Sequence, residues 1–600
     1  MSKAPTETKP VFAELSEDGK YIEVYFKPEP KLISAMHRLN AKFQNKDKVD
    51  VPHWRVGLDF ESARQLVVFV SRDKLQLGDA LMAWGQRKKE VDDGVVEILN
   101  THDPELERMP ELLPELHEFM RDYQHQGVAY SAFVDHPLIA DQPGLGKTIE
   151  AIGAIYEAGN QDGPNLVVAP LTSIQVVWEY ELRRWTDMPV FIGAAEGTGR
   201  LKREMVLREI ELMLDRGWPF WLLVNPEMVR MKKKDRGAGT AKDNLVAEYP
   251  LLHEIEWANI IADEVHKKGL RNNTSVTAVG FYDLKTRENG KRIALSGTPV
   301  GGKPINMFGI LHWLDPIQFP SKWKWAERWM ELSSNGYGTE VGAVKEDLTD
   351  EFDRHLRSVV IRRTKEEVIK ELPPKDSHDI WAEMTDDQAE QYRRFAEMAT
   401  VELGDETLSA TSILAIYTRL KQFASAKCMF SEDGKLVPTQ ESGKLQVLEE
   451  KLEELGIMDG SSEAQALVFT QFKEMADMVT AYLTDKGVPV VTITGATKDR
   501  AGVVGSFQEG DAKVCVMTTT SGGVSITMDK ADTVFILDET WNPDDQEQAE
   551  DRAHRASRIH QVTVYYVRTK GTLEEYIKQV TDRKGAINKW VLDERRIRLY

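Results

Sequence analysis

DQPGLGKTIEAIGAIYEA, residues 141–158, decides how the rest of the chain is read. Its glycines, Gly144 and Gly146 among them, let backbone N–H groups approach a bound phosphate. The apolar helical periodicity that follows puts a helix N-terminus behind them, where negative charge is favoured. Lys147 is placed to neutralise β and γ phosphates, and the Thr148 hydroxyl to ligate Mg2+. The full GxxxxGK[ST] pattern would begin with glycine at position 141, where this chain has Asp141.

Two further stretches take their meaning from this loop. DEVH (263–266) ends an apolar run. There Asp263 is expected to hold Mg2+ through water, and Glu264 to polarise an attacking water. His266 is read either as a reporter of nucleotide state to the next motif or as a plain polar residue. QAEDRAHR (548–555) places Arg552 and Arg555 three apart on a helix, hence on one face. Alone they would be an ordinary charged helix with Glu550 and Asp551 as partners. With a phosphate loop and an acidic strand end upstream, they read as guanidinium groups brought from a second lobe to a transferring phosphoryl group. The expectation is an ATP site divided between two lobes, with Lys147, Glu264, Arg552 and Arg555 as its catalytic residues.

Short β-branched runs alternate with helical segments, the signature of parallel α/β layers. In the first half the expected strands are NLVVAP (165–170), FWLLV (220–224), NIIADE (259–264) and RIALSG (292–297). In the second half they are ALVFT (466–470), PVVTITG (489–495), VCVMTT (514–519), TVFILD (533–538) and VTVYYV (562–567). Each set makes one doubly wound sheet, and the motifs fall just past the strand ends, where open α/β sheets place ligands. The tryptophans Trp323, Trp325 and Trp329 and the helix-like stretches after them mark residues 317–440 as a helical insertion and linker. The expected division is an N-terminal accessory unit at 1–112, a first lobe at 113–316, the insertion at 317–440 and a second lobe at 441–600. The expected fold class is therefore α/β: parallel doubly wound sheets in two lobes, helical insertions, and a small α+β N-terminal domain.

Six hundred residues with 41% hydrophobic and 29% charged content suit a multidomain globular protein. No apolar run approaches the roughly 18 residues of a membrane span. MSKAPTETKP carries no apolar signal core, so a cytoplasmic protein is expected. Cys428 and Cys515 are isolated, which excludes a zinc knuckle. Net charge is −20, yet a local basic track can still hold phosphates. Two runs are candidates for such a track, or else solvated loops: Arg230, Lys232, Lys233, Lys234 and Arg236, and Arg362, Arg363 and Lys365.

The ordered motifs resemble the superfamily-two helicase-like ATPases, and within them the Swi/Snf-type double-stranded DNA translocases, over about residues 117–580. RDYQHQG (121–127) resembles the adenine-reading motif, which would give Gln124 that role. DQPGLGKT resembles motif I, VVAPLTSIQVVWEYELRRW (167–185) motif Ia and DEVH motif II. LSGTP (295–299) resembles motif III, with Ser296 and Thr298 coupling nucleotide state to nucleic acid. IRRTKEEVIKELPPK (361–375) is similar to the family's segment between the lobes. VFTQF (468–472) resembles motif IV, and 519–555, with Trp541, Asn542 and Pro543, resembles motifs V and VI.

The resemblance implies two RecA-like P-loop lobes, ATP and Mg2+ as cofactors, and double-stranded or branched DNA as partner. It implies a monomer at work in a bacterial or phage-infected cytoplasm, on the nucleoid. Thr172, Asn225, Gln471 and Ser521 are its candidate DNA contacts. Departures from the family pattern are Gln142 and Pro143 in motif I, VGGKP after SGTP, Ser525 and Thr527 in motif V, and Ala556, Ser557 and Arg558 after motif VI. None removes a catalytic atom; the second makes coupling through motif III less direct. VPHWRVGLDFESARQLV (51–67) faintly resembles the recognition domain of annealing helicases, with Trp54 and Arg55 either at a DNA junction or in a core and on a surface. The expected activity is ATP-driven translocation on duplex DNA in fork remodelling, repair or recombination. A strand-separating helicase and a nucleotide-gated DNA-binding assembly factor are the alternatives.

Overall fold

The structure is a computed structural model. It describes residues 11–39, 41–45, 51–70, 75–194, 199–233, 245–264, 269–271, 273–300, 303–334, 338–370, 375–403, 410–432, 434–497, 499–519, 528, 530–540, 550, 553, 561–579 and 582.

Seven parallel strands form the first large sheet, in the order Val360–Ile361, Leu138–Ile139, Lys285–Leu295, Glu256–Asp263, Pro164–Val168, Phe220–Val224, Val190–Ile192. Six parallel strands form the second, in the order Lys375–Ala382, Val562–Thr569, Thr533–Ile536, Ala466–Thr470, Val514–Thr518, Val490–Ile493. Phe220–Val224, Ala466–Thr470 and Val514–Thr518 are buried along their whole length. That is why they are continuous apolar runs rather than alternating ones: helices cover both faces of a parallel sheet. The α/β class with two doubly wound lobes is as the sequence predicts.

The N-terminal unit is a five-stranded sheet ordered Lys42–Gln44, His53–Gly57, Tyr21–Tyr25, Val11–Leu15, Leu75–Leu77, with the last pair parallel and the others antiparallel. Its core includes Val11, Ile22, Val24, Met36, Val56 and Leu66. The helix Asp79–Asn100 joins this unit to the first lobe, burying Leu81 in one core and Val95 and Leu99 in the other. Glu351 adds a second tie, meeting Arg64 at 3.2 Å and Arg328 at 2.9 Å. Trp54 lies between His37 and Phe43, each ring 5.2 Å away, and Arg55 pairs with Glu23 at 2.8 Å.

Residues 317–440 differ from the expected helical insertion. Trp325, Trp329, Phe352 and Leu356 belong to the core of the first lobe, and Val360–Ile361 is an edge strand of its sheet. Lys375–Ala382 pairs along its length with Val562–Thr569 in the second sheet, and the helices Asp386–Leu403 and Ala410–Ser425 follow it. Two antiparallel hairpins interrupt the helices, Met330–Ser334 with Thr339–Val344 and Cys428–Phe430 with Leu436–Pro438. The segment thus completes both lobes. A two-residue strand and a largely polar one, DSHDIWA, carry too little apolar signal to be separated from helix or loop by composition.

Candidate nucleotide site

The strand Leu138–Ile139 runs out into the phosphate loop, and the helix Lys147–Glu157 begins where the loop ends. Gly144 and Gly146 hold φ of 87° and 89°, backbone that a side chain would strain. At Gly146 a Cβ would also stand 2.2 Å from Gln124 Nε2. Gln124 is buried on the helix Asp122–Phe133, where its amide donates to Leu145 O at 2.9 Å and accepts from Arg121 N at 3.0 Å. Tyr123 adds its hydroxyl to the same Leu145 carbonyl at 3.0 Å. The expected adenine reader is thereby fixed directly on the phosphate loop. Lys147 Nζ donates to Asp141 O at 2.8 Å and Gln142 O at 3.3 Å, curling over the loop, with Thr148 behind it in the first helical turn.

Asp263 ends its strand at the carboxyl edge of the sheet, and Glu264 follows with φ of 49°. Such a left-handed residue costs of order 1–3 kcal/mol and persists where its surroundings over-determine it, commonly at functional sites. Burial, and then the Glu264 charge, push the Asp263 carboxyl up to about 7, while Trp178 and the Lys147 ammonium oppose them. The indole of Trp178 donates to Asp263 Oδ2 at 3.0 Å. Trp178 sits in a π-helical stretch, Ile174–Glu179, a distortion frequent at functional sites. Thr148 and Asp263 offer hard oxygen donors, a hydroxyl and a single carboxylate. Those are what a magnesium ion takes from a protein when substrate phosphates supply the rest.

Ser296 and Thr298 are buried just past Leu295, with Thr298 N donating to Ser296 Oγ at 3.3 Å. A Cβ on Gly297 would stand 2.8 Å from Pro143 Cγ, so this loop lies on the phosphate loop. Arg362 bridges the two, Nη1 donating to Ala140 O at 2.6 Å and Gly297 O at 3.0 Å. The structure therefore brings together Gln124, Gly144, Gly146, Lys147, Thr148, Asp263, Glu264, Ser296 and Thr298 on one lobe. Arg552, Arg555, Ser521, His266 and Trp541, Asn542 and Pro543 lie outside the described residues.

The basic run Arg362, Arg363 and Lys365 is neither a DNA track nor a solvated loop. Arg363 and Lys365 are each 6% exposed. The Arg363 main-chain N–H donates to Asp141 Oδ1 at 2.8 Å, its Nε to Asp141 Oδ2 at 3.0 Å, and its Nη2 to Asp141 Oδ2 and to Glu150 Oε2, the latter at 2.6 Å. Two buried carboxylates attract one guanidinium here. Burial pushes the Glu150 carboxyl up to about 8, against the pull of Arg363. In the other run, Arg230 pairs with Glu248 at 2.6 Å, and Lys234 and Arg236 lie outside the described residues.

Of the remaining DNA candidates, Thr172 is half-buried on the turn Leu171–Ser173. Asn225 is 2% exposed, its amide donating to Glu227 Oε2 at 2.5 Å. Gln471 is held inside the second lobe, accepting from Lys421 Nζ at 2.8 Å and donating to Glu539 O. Asp141, Arg363 and Trp178 are site residues that motif reading missed. The first two were visible as unlike charges, but nothing in the order of residues pairs them.

The SNF2-related domain family matches residues 123–429, and the helicase conserved C-terminal domain matches 443–557. The chain is 26% identical over 504 residues to human chromodomain-helicase-DNA-binding protein 7, covering 79% of this chain and 16% of that protein. It is 27% identical over 553 residues to human chromodomain-helicase-DNA-binding protein 8, covering 84% and 20%. With the CHD3-type chromatin-remodeling factor PICKLE of Arabidopsis thaliana it shares 26% identity over 525 residues, covering 81% and 35%. The chain spans about a sixth to a third of the length of these relatives. Among solved structures, the Sulfolobus solfataricus SWI2/SNF2 ATPase core in complex with dsDNA is 23% identical, with 82% of this chain and 95% of that one covered and a TM-score of 0.37.

Proposed function

This chain belongs to the SNF2-related family of helicase-like ATPases, and from that premise we propose that it hydrolyses ATP to move along double-stranded DNA. One observation carries the reading: Gln124, the phosphate loop, the Asp263–Glu264 strand end and the Ser296–Thr298 loop meet on one lobe, with Arg362 joining the last to the loop. Thr148 and Asp263 would hold Mg2+, which supplies positive charge to the phosphate oxygens. Lys147 exchanges its two loop carbonyls for phosphate oxygens. Glu264 orients and polarises the attacking water. Arg552 and Arg555, from the second lobe, complete the charge around the transferring group, so hydrolysis goes with closure of one lobe on the other.

Movement along a duplex requires phosphate contacts and little base readout, hence weak sequence preference. Thr172 and Ser521 are the proposed contacts. Asn225 and Gln471 would first have to release the bonds they make inside the protein. The finer role proposed is remodelling of forks, repair or recombination on branched DNA in a cytoplasm. Its support is the likeness of residues 51–67 to annealing-helicase recognition domains.

The test is ATP hydrolysis with duplex, fork, single-stranded DNA and RNA. Duplex should stimulate turnover, and Lys147→Ala or Glu264→Gln should reduce it at least about a hundredfold. Stronger stimulation by single-stranded RNA than by duplex DNA would overturn the reading. Triplex displacement without strand displacement separates a translocase from a strand-separating helicase.

A further inference from the structure

Residues 360–369 lead from the first lobe toward the second, and they hold the phosphate loop along its whole approach. Leu138 N and Ala140 N donate to Val359 O and Ile361 O, and Gln142 N donates to Arg363 O at 3.1 Å. Gln142 Oε1 accepts from Lys365 N at 2.8 Å. Ile369 and Val368 close against Tyr123 and Leu145. By Lys375 the chain is paired into the second sheet. Ile369 and Lys375 are six residues apart in the chain, so the end of this segment and the start of the second sheet lie within about 20 Å of one another.

Arg363 is where this segment meets the nucleotide site. Its guanidinium touches three parts of the nucleotide site at once: Asp141 at the start of the phosphate loop, Glu150 on the helix behind it, and Tyr123 O beside the proposed adenine reader. Its ring contact with Tyr123, 5.3 Å from the centroid, fixes it on the same side. A planar fork can serve these partners together; an ammonium group cannot. Asp141, fully buried, spends both oxygens on Arg363 alone among the described residues, whereas only its main-chain carbonyl serves Lys147.

Resting on the reading of this loop as an ATP site, we propose that Arg363 and Asp141 are a positioning pair: the interlobe segment sets the attitude of the phosphate loop through them. The pair touches no substrate. It holds the first residue of the loop in register with the helix that begins at Lys147.

Arg363→Lys keeps the charge and loses the fork; Asp141→Asn keeps the volume and loses the ion pair. In the full chain, melting midpoint, affinity for a fluorescent ATP analogue, and kcat and KM for ATP are measured well below each variant's own midpoint. Both variants are expected to raise KM for ATP and the analogue's Kd roughly five- to tenfold per folded molecule, and the double variant to be no worse than the worse single one. Lowered midpoints with KM, Kd and kcat all unchanged would reduce the pair to a structural role and overturn the proposal. Additive losses in the double variant would also overturn it. Should Arg363→Lys not fold, Asp141→Asn decides alone, because it conserves volume. A wild-type protein that neither binds the analogue nor hydrolyses ATP fails at the reading of the site itself, which is a different result.

Discussion

His136 receives the main-chain N–H of Arg292 at Nδ1, 3.2 Å away, at the entrance to the strand Leu138–Ile139. Burial, and then the Arg292 charge, bring its pKa down from the ordinary 6.5 to about 4. The unfolded chain therefore takes up a proton on this ring from pH 6.5 downward while the folded chain refuses it, so stability falls as pH drops through that window. The full effect, reached below pH 4, is about 3 kcal/mol. His136→Asn keeps an acceptor near Nδ1 and cannot titrate, so urea midpoints at pH 7, 5.5 and 4.5 should decline less steeply in the variant. Equal slopes would show that the ring is solvated and ordinary. The phosphate loop, the acidic strand end and Gln124 were legible because each occupies a fixed local pattern. Arg363 was not. Its partners lie 222 and 213 residues away, and a basic residue in IRRTK reads as surface until the fold delivers carboxylates to it.

At the scale of elements, the strands found from sequence are β-branched apolar runs of four or more residues, the clearest being fully buried ones such as Phe220–Val224 and Val514–Thr518. Leu138–Ile139 and Val360–Ile361 escaped because two residues have no period, and Lys375–Ala382 because it opens on five polar residues and has no strand alternation. The helices carry a different hidden constraint. On the helix Val276–Asp283 a Cβ at Gly280 would stand 1.9 Å from Val229 O, and on Phe308–Leu314 one at Gly309 would stand 1.8 Å from Leu270 O. In an open helix, alanine for glycine gains about 1 kcal/mol. Here the added methyl meets backbone, which cannot rotate away. Gly280→Ala and Gly309→Ala should each lose roughly 2 kcal/mol or more in denaturant melts. Stabilisation by either would mean that these helices stand off from their neighbours.

Across the whole molecule, a net charge of −20 limits how the proposed DNA partner could be held. At 0.1 M salt, repulsion between this surface and a duplex is screened beyond about 10 Å, so binding depends on the cations that reach phosphates directly. The structure takes several of those out of play. Arg362 and Arg363 grip the phosphate loop, Arg230 is paired with Glu248, Lys421 with Gln471 and Glu539 O, and Arg568 with Glu539 and Asp379. With these cations occupied inside the protein, the proposed DNA contact is expected to draw part of its grip from neutral donors such as the Thr172 hydroxyl and loop N–H groups. About three or four phosphates neutralised gives a slope of log affinity against log salt near −3, or less than about a hundredfold loss between 50 and 200 mM. Six to ten such contacts would cost about a thousandfold or more over the same range. Duplex affinity measured by fluorescence anisotropy across that range, with the ATP rate followed in parallel, decides between them. A steep slope would place a full cationic track on the protein and overturn the expectation of a short cationic contact.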